Sequence, residues 1–330
     1  MNEVVPGAYR IELPLIYEDP LFRHVNAYLF SGDNGYLLVD TGWNDEKAFV
    51  SLKNQLAEGG IDIRDISRIV VTHIHPDHYG MAGRLKSASG ATFFLHSIEQ
   101  NLIEPLYIHK DKFHRHTADW LHRNGVPPKE LLEIQKYTGD TSQFVIPTSP
   151  DVSLHGGEHI STGTFNFTVI WTPGHSEGHI CLYEPAKKIL ISGDHILPTI
   201  TPHVGLHPES TGNPLKAYFA SLKEIATLEI DLILPGHESP FNGAGPTIKK
   251  IIQHYRQTEA EILPMIAAKP QTAYQVCCGM PWTGNAGWQN LSSLQKRLAI
   301  ARTIAQMEFM VIGGKARKFS QNSIIYYQKT

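Results

Sequence analysis

THIHPDHYG, residues 72–80, places His73, His75, Asp77 and His78 within six consecutive positions. Packing rarely calls for that density of imidazole and carboxylate. The preceding run RIVVTH, ending at His73, reads as a buried β-strand, so the cluster lies on the loop that leaves a strand end. In an extended loop His73 and His75 point the same way, and Pro76 can open a short helix that carries Asp77 and His78.

Four other apolar runs share this design. YLLVD ends at Asp40, FTVIWTPGH at His175, ILISGD at Asp194 and DLILPGH at His237. Strands bury their middles and leave their ends for loops that assemble sites, so five such runs point to one shared rim. Helical patterns fall between them, at Glu46–Glu58, in YGMAGRLKSAS after His78, and at Pro214–Leu228. Strands alternating with helices predict an α/β fold whose sheets are covered on their outer faces.

Residues 98–147 break the rhythm, with helices expected near 98–108, 113–124 and 128–137. They form an insertion that either closes as a lid over the rim or lies on it as ordinary surface helices. After His237 comes the loop ESPFNGAGP and a helix from Thr247 to about Ala267. A helix from Ser292 to Met310, a turn at Gly313 and Gly314 and the strand SIIYYQ then give the ending of a small winged-helix unit. The expected division is 1–260 and 261–330.

Hydrophobic residues make up 42% of the 330 and charged residues 18%, enough apolar material for a substantial core. No basic start with an apolar h-region and no apolar run of ~20 residues is present, so a cytoplasmic protein with no membrane partner is expected. Three cysteines fit a reducing compartment; Cys181, in HICLY, reads as a core residue. A formal net charge of -3 gives no overall footprint for a polyanion. The segment from Lys296 to the end differs, with seven Lys or Arg (Lys296, Arg297, Arg302, Lys315, Arg317, Lys318, Lys329) against the single acid Glu308.

Imidazole nitrogen and carboxylate oxygen suit Zn²⁺ and related divalent ions, and the absence of thiolate argues against a closed structural zinc site. A lone histidine is usually structural, but His-x-His-x-Asp-His at one strand end, with TPGH, SGD and PGH at others, is a rare coincidence.

In motif order the chain resembles the metallo-β-lactamase superfamily, nearest in style to hydrolases of the glyoxalase II type. The resemblance runs from Asp40 in LVDTG through THIHPDH, TPGHSEGH and SGD to His237 in PGH. It implies a four-layer αββα sandwich. It further implies one metal held by His73, His75 and His175, a second by Asp77, His78 and His237, Asp194 bridging both, and Asp40 orienting a ligand or the cluster loop. Zinc is the expected metal, with Mn²⁺ or Fe²⁺ as alternatives. The C-terminal region is similar to the winged-helix tail of some relatives, including members with nuclease activity.

Two metals ~3.5 to 4 Å apart can bridge a water and lower its pKa from about 15.7 toward neutrality. The expected activity is therefore hydrolysis of a small-molecule ester, thioester or lactone by a metal-bridging hydroxide. Asp194 and Asp77 are the catalytic candidates, Asp77 also being placed to pass a proton to the leaving group. The alternative is a phosphodiesterase or nuclease whose basic C-terminal region contacts phosphates of a nucleic acid; a winged helix can equally serve as a homodimer contact. After Asp194 the sequence HILPTITPHV lacks the tyrosine that some lactonases of the superfamily place there, which weakens the lactone reading. His195 and His203 are candidates for the substrate pocket, whereas His114, His116 and His179 read as structural or surface residues. No flavin-binding domain accompanies the site.

Overall fold

The structure, a computed structural model, describes residues 1–15, 24–137, 141–282 and 287–330. Its residues cluster into two compact units. The first comprises Met1–His109, Thr141–Pro202 and Ser221–Ile248; the second comprises Lys110–Asp140, His203–Ala220 and Lys249–Thr330.

In the first unit seven strands form one sheet in sequence order: β1 (Asn2–Val5), β2 (Ala8–Pro14), β3 (His24–Phe30), β4 (Tyr36–Val39), β5 (Ile66–Val70), β6 (Thr92–His96) and β7 (Val152–Leu154). β1 to β4 are antiparallel hairpin partners, whereas β4 to β7 run parallel. Parallel pairing needs crossovers, and helices α1 (Glu46–Glu58), α2 (Pro76–Tyr79) and α3 (Ala82–Ser89) supply those from β4 to β5 and from β5 to β6. α1 has the bounds read from the sequence because Asp45 caps it, accepting from the backbone N–H of Lys47 at 2.7 Å and Ala48 at 3.1 Å. The short helix α4 (Ser97–Ile103) follows β6 directly.

A second sheet runs β12-β11-β10-β9-β8, from β8 (His159–Ser161), β9 (Asn166–Trp171), β10 (Ile180–Glu184), β11 (Ile189–Gly193) and β12 (Leu232–Pro235). The two sheets share a core in which Tyr28, Phe30 and Val39 of one meet Phe167, Val169, Leu182 and Leu234 of the other. Phe30 lies edge-on to Phe165 and Phe167 at 5.1 and 4.8 Å between centroids, geometry worth about 1 kcal/mol per pair beyond area burial. The opposite face of the first sheet packs Leu38, Ile69 and Phe93 against Leu52 and Leu56 of α1 and Leu85 of α3. The fold is the mixed α/β sandwich expected from the sequence. Each of the five runs ends as a strand does: Asp40 follows β4, the 73–78 cluster follows β5, His175 follows β9, Asp194 follows β11 and His237 follows β12.

The second unit departs from the expected division. α5 (Lys110–Arg123) and α6 (Pro128–Tyr137), which lie within the 98–147 segment, share a core with α8 (Ala244–Ala268), α9 (Ala273–Gly279) and α10 (Ser293–Ile312), while residues 98–109 and 141–147 belong to the first unit. α7 (Pro214–Ile225) precedes β12 in the chain. The expected lid segment therefore divides between the units; its residues 138–140 lie outside the described residues. The reason is amphipathicity: α5 and α6 bury Leu121 and Ile134 with Ile300, Ile304 and Met307 of α10. The hairpin β13 (Ala316–Gln321) and β14 (Ile324–Lys329) follows α10 in the helix-then-hairpin order seen in the sequence.

Three lysines of this region pair with acids of the same unit. Lys296 pairs with Glu130 at 2.8 Å, Lys315 with Glu259 at 2.5 Å and Lys318 with Glu308 at 2.6 Å, and Arg302 lies over the Tyr255 ring. Among the described residues no helix is long and apolar enough to cross a membrane. Cys181 is buried, and burial pushes its thiol up to about 12, which makes it the core residue its surroundings suggested.

Candidate metal centre

Strand ends from both sheets bring His73, His75, Asp77, His78, His175, Asp194 and His237 together within the first unit. Three overlapping groups have ligand atoms within 4.8 Å of one another: His73, His75 and His175; His73, His78 and Asp194; and Asp77, His78 and His237.

In the first group His73 Nε2 lies 2.9 Å from His75 Nδ1, and His175 Nε2 lies 3.2 Å from the former and 2.9 Å from the latter. A ring nitrogen is either a donor or an acceptor, so three mutually close nitrogens cannot all be satisfied by hydrogen bonds among themselves. Lone pairs converging on one cation can satisfy them. Burial, reinforced by the neighbouring imidazoles, holds His73 well below its usual pKa, and burial and His175 bring His75 to about 3. The rings of His73 and His75 are thus neutral, the form that binds a metal.

The second half is opposite in character. Here His78 Nε2 stands 3.7 Å from Asp77 Oδ2 and 3.5 Å from Asp194 Oδ1, and His237 Nε2 stands 3.3 Å from Asp77 Oδ2 and 3.5 Å from Asp194 Oδ2. Burial disfavours charge on His78, yet Asp77, Asp40 and Asp194 outweigh it and bring the imidazole to about 9. Burial likewise opposes charge on Asp77, but His78 and His237 overcome it and hold the carboxyl at about 2. A cluster that draws protons onto imidazoles is one that calls for positive charge, which a divalent cation supplies. His78 Nε2 and Asp194 Oδ1 are both buried and have no hydrogen-bond partner, a costly state for polar atoms that ligation relieves.

The outer nitrogens are fixed by their partners. Asp40, 2% exposed, accepts from His78 Nδ1 at 2.8 Å and from the Thr72 backbone N–H at 2.8 Å, and its Oδ2 takes the Thr72 hydroxyl at 2.9 Å. That hydroxyl oxygen lies 3.1 Å from His73 Nδ1, and His237 Nδ1 donates to the His24 carbonyl at 3.1 Å. All three rings therefore turn Nε2 toward the centre. Asp40 adopts φ 63°, a left-handed conformation that Asp tolerates better than most residues, and its N–H donates to Val70 at 2.9 Å. The glycine of PGH has a steric reason: a Cβ on Gly236 would sit 2.5 Å from Asp194 Oδ1 and 2.7 Å from His78 Cε1.

His179 is structural, as its type suggested. It is buried, its Nδ1 lies 2.8 Å from the Thr172 hydroxyl, and its Nε2 accepts from the Asp194 backbone N–H at 3.2 Å. His195 is buried 5.9 Å from the His179 ring, with its pKa brought to about 3 by burial and then by His175. His203 falls in the second unit. His116, also of the second unit, pairs with Glu209 at 3.0 Å. Two supports escaped the sequence reading. Glu99 binds both histidine loops, and Asn26 donates to the Pro235 carbonyl at 2.8 Å at the start of the PGH turn. Neither carries a local signal, because each acts on backbone atoms of distant segments.

The family model for the metallo-beta-lactamase superfamily matches residues 20–237. A probable metallo-hydrolase of Bacillus subtilis, YqjP, is 29% identical over 277 residues, covering 82% of this chain and 83% of that protein. A bovine acyl-coenzyme A thioesterase, MBLAC2, is 28% identical over 179 residues, covering 52% of this chain and 58% of its own length. A crystal structure of a metallo-beta-lactamase family protein from Thermus thermophilus superposes with a TM-score of 0.83 at 27% identity, covering 99% of this chain and 100% of the other.

Proposed function

The chain belongs to the metallo-beta-lactamase superfamily and is a metal-dependent hydrolase, and from that premise we propose that it cleaves a small acyl substrate, a thioester or ester ahead of a lactone, at a two-metal centre. The observation that carries this reading is the placement of Asp194. One of its oxygens faces His78 at 3.5 Å, and the other faces both His175 and His237 at 3.5 Å, so its carboxylate touches both halves of the site. On this reading His73, His75 and His175 hold one ion, Asp77, His78 and His237 hold the other, and Asp194 joins them.

Bound there, two divalent cations, zinc being the type best matched to this nitrogen-rich set, supply Lewis acidity and acidify solvent enough to provide a nucleophile near neutral pH. The chain's own residues do the rest. Asp40 and Thr72 keep the Nδ1 protons of His78 and His73 turned outward, which leaves their Nε2 lone pairs inward. The Asp77 carboxylate, ionised at neutral pH, faces His237 and is placed to receive or return a proton beside the substrate, although ligation makes it a weak base. No protein nucleophile is needed, and Cys181 is buried with its thiol raised.

Thioester comes first because two relatives carry that activity in their names: the bovine acyl-coenzyme A thioesterase and a thioesterase of Emericella nidulans, 24% identical, of which 54% is covered. The alternative of a nuclease drew on the basic C-terminal region. The pairing of Lys296, Lys315 and Lys318 with acids of their own unit supports placing it second.

The test is metal analysis of chelator-free protein beside a panel of aryl esters, acyl thioesters, lactones, bis-aryl phosphodiesters and single-stranded RNA, with His73→Ala and Asp194→Ala as controls. Two ions per chain, thioester or ester turnover, and loss of both metal and turnover in the variants are expected. Less than one ion per chain, or turnover of the phosphodiesters alone, would overturn the proposal.

A further inference from the structure

Glu99 lies in the first turn of α4, outside every ligand motif, and is fully buried. Among the described residues its carboxylate has three hydrogen-bond donors, none of them a cation. Oε2 accepts the backbone N–H of Ile74 at 2.9 Å. Oε1 accepts the backbone N–H of Gly178 at 2.6 Å and the hydroxyl of Ser176 at 2.8 Å.

The identity of those donors matters more than their number. Ile74 separates His73 from His75, so its peptide sets how the two imidazoles are spaced. Ser176 and Gly178 belong to the loop that carries His175. One buried side chain thus ties together the two loops, about a hundred residues apart in sequence, whose three ring nitrogens meet within 2.9 to 3.2 Å. The peptide group that follows, between Ile74 and His75, is also held, since Tyr107 donates its hydroxyl to the Ile74 carbonyl at 2.6 Å. Closeness at Gly178 is enforced as well: a Cβ there would meet Glu99 Cγ at 2.7 Å and its Oε1 at 2.9 Å. Burying a carboxylate to organise loop backbone is costly; the three hydrogen bonds from Ser176, Ile74 and Gly178 offset part of that cost, and burial still leaves the Glu99 pKa raised above its usual value.

We propose that Glu99 is a positioning residue that sets the separation of His73 and His75 from His175 and thereby the affinity of that half of the site for its metal. This rests on the ligand assignment proposed above. It predicts an asymmetry, because Glu99 contacts neither the 235–237 turn nor Asp194 in any hydrogen bond it makes. Loss of the carboxylate should weaken one ion of the two.

The experiment is titration of metal-free wild-type, Glu99→Gln and Ser176→Ala proteins with zinc against a chromophoric chelator, with melting of each metal-free protein alongside. Glutamine keeps the shape but turns one acceptor into a donor. For Glu99→Gln one binding event should weaken by about 10-fold to 100-fold, the range for residues that orient ligands, with the other nearly unchanged. Ser176→Ala, which keeps two of the three donors, should weaken the same event by a smaller factor. A purely structural role would instead lower the melting temperature and leave both affinities alone. Wild-type protein that binds two ions, beside a folded Glu99→Gln that binds both equally well, would overturn this inference only. If Glu99→Gln does not fold, unchanged affinity in Ser176→Ala would overturn it. Wild-type protein that takes up no ion would overturn the ligand assignment and this inference with it.

Discussion

Asp40 Oδ2 holds His78 Nδ1 at 2.8 Å and, through the Thr72 hydroxyl 2.9 Å away, backs the contact to His73 Nδ1, so one buried acid orients an imidazole in each half of the site. Unlike Glu99, which reaches only the loops of the three-histidine group, Asp40 reaches both halves.

Asp40→Asn should therefore weaken both metals together. An amide offers one acceptor where the carboxylate offers two, and its NH₂ faces donors. Affinity for each ion is expected to fall about 10-fold to 100-fold, measured by chelator competition, with turnover at limiting metal falling in step. Loss confined to one ion would contradict the shared-support geometry.

Gly236→Ala introduces a methyl group that cannot fit without moving Asp194 or His78, given separations of 2.5 and 2.7 Å. A displacement on the order of 1 Å costs roughly 100-fold in rate, so kcat/KM should drop by about that factor while the far-ultraviolet circular dichroism stays unchanged. Wild-type turnover in this variant would show that the turn is looser than these separations require.

Lys296 and Glu130, 2.8 Å apart with side chains 12% and 18% exposed, join α10 to α6. A double-mutant cycle with Lys296→Met and Glu130→Gln should give a coupling of about 1 kcal/mol, read from urea midpoints, with ester turnover unaffected. Zero coupling would mean the pair contributes no more than an exposed one.

His96 caps α4 by accepting the Ile98 N–H at 3.3 Å and stacks on Trp171 at 5.7 Å, so it must be neutral at the capping nitrogen. Burial lowers its pKa in the folded state below the usual value. A lowered imidazole pKa means that the unfolded chain binds the proton more tightly. Stability is then fully present above about pH 6.5 and is lost as pH falls below it. His96→Asn, which can still cap, should flatten the decline in stability between about pH 7 and 5 relative to wild type, measured by urea denaturation. An unchanged slope would assign that decline to other groups.

Much of this protein was written in local sequence. The five strands and the residues that end them were legible because an apolar, β-branched run and a following Asp or His are neighbours in the chain, and the pleat then fixes which way a loop residue can point. The start of α1 was legible because its cap, Asp45, is local too. The seven candidate ligands follow from the same logic, joined by motif order.

What only the folded chain decided was pairing at a distance. An amphipathic helix announces a buried face but not its partner, so nothing in residues 110–137 says that they share a core with α10. A lysine announces charge but not its acid, and Lys296 finds Glu130 166 residues earlier. Glu99 was invisible for the same reason, since its partners are backbone N–H groups, which every sequence has and only a fold can aim. Local chemistry therefore named the atoms able to hold a metal, while long-range packing set which nitrogen of each ring faces it and how firmly.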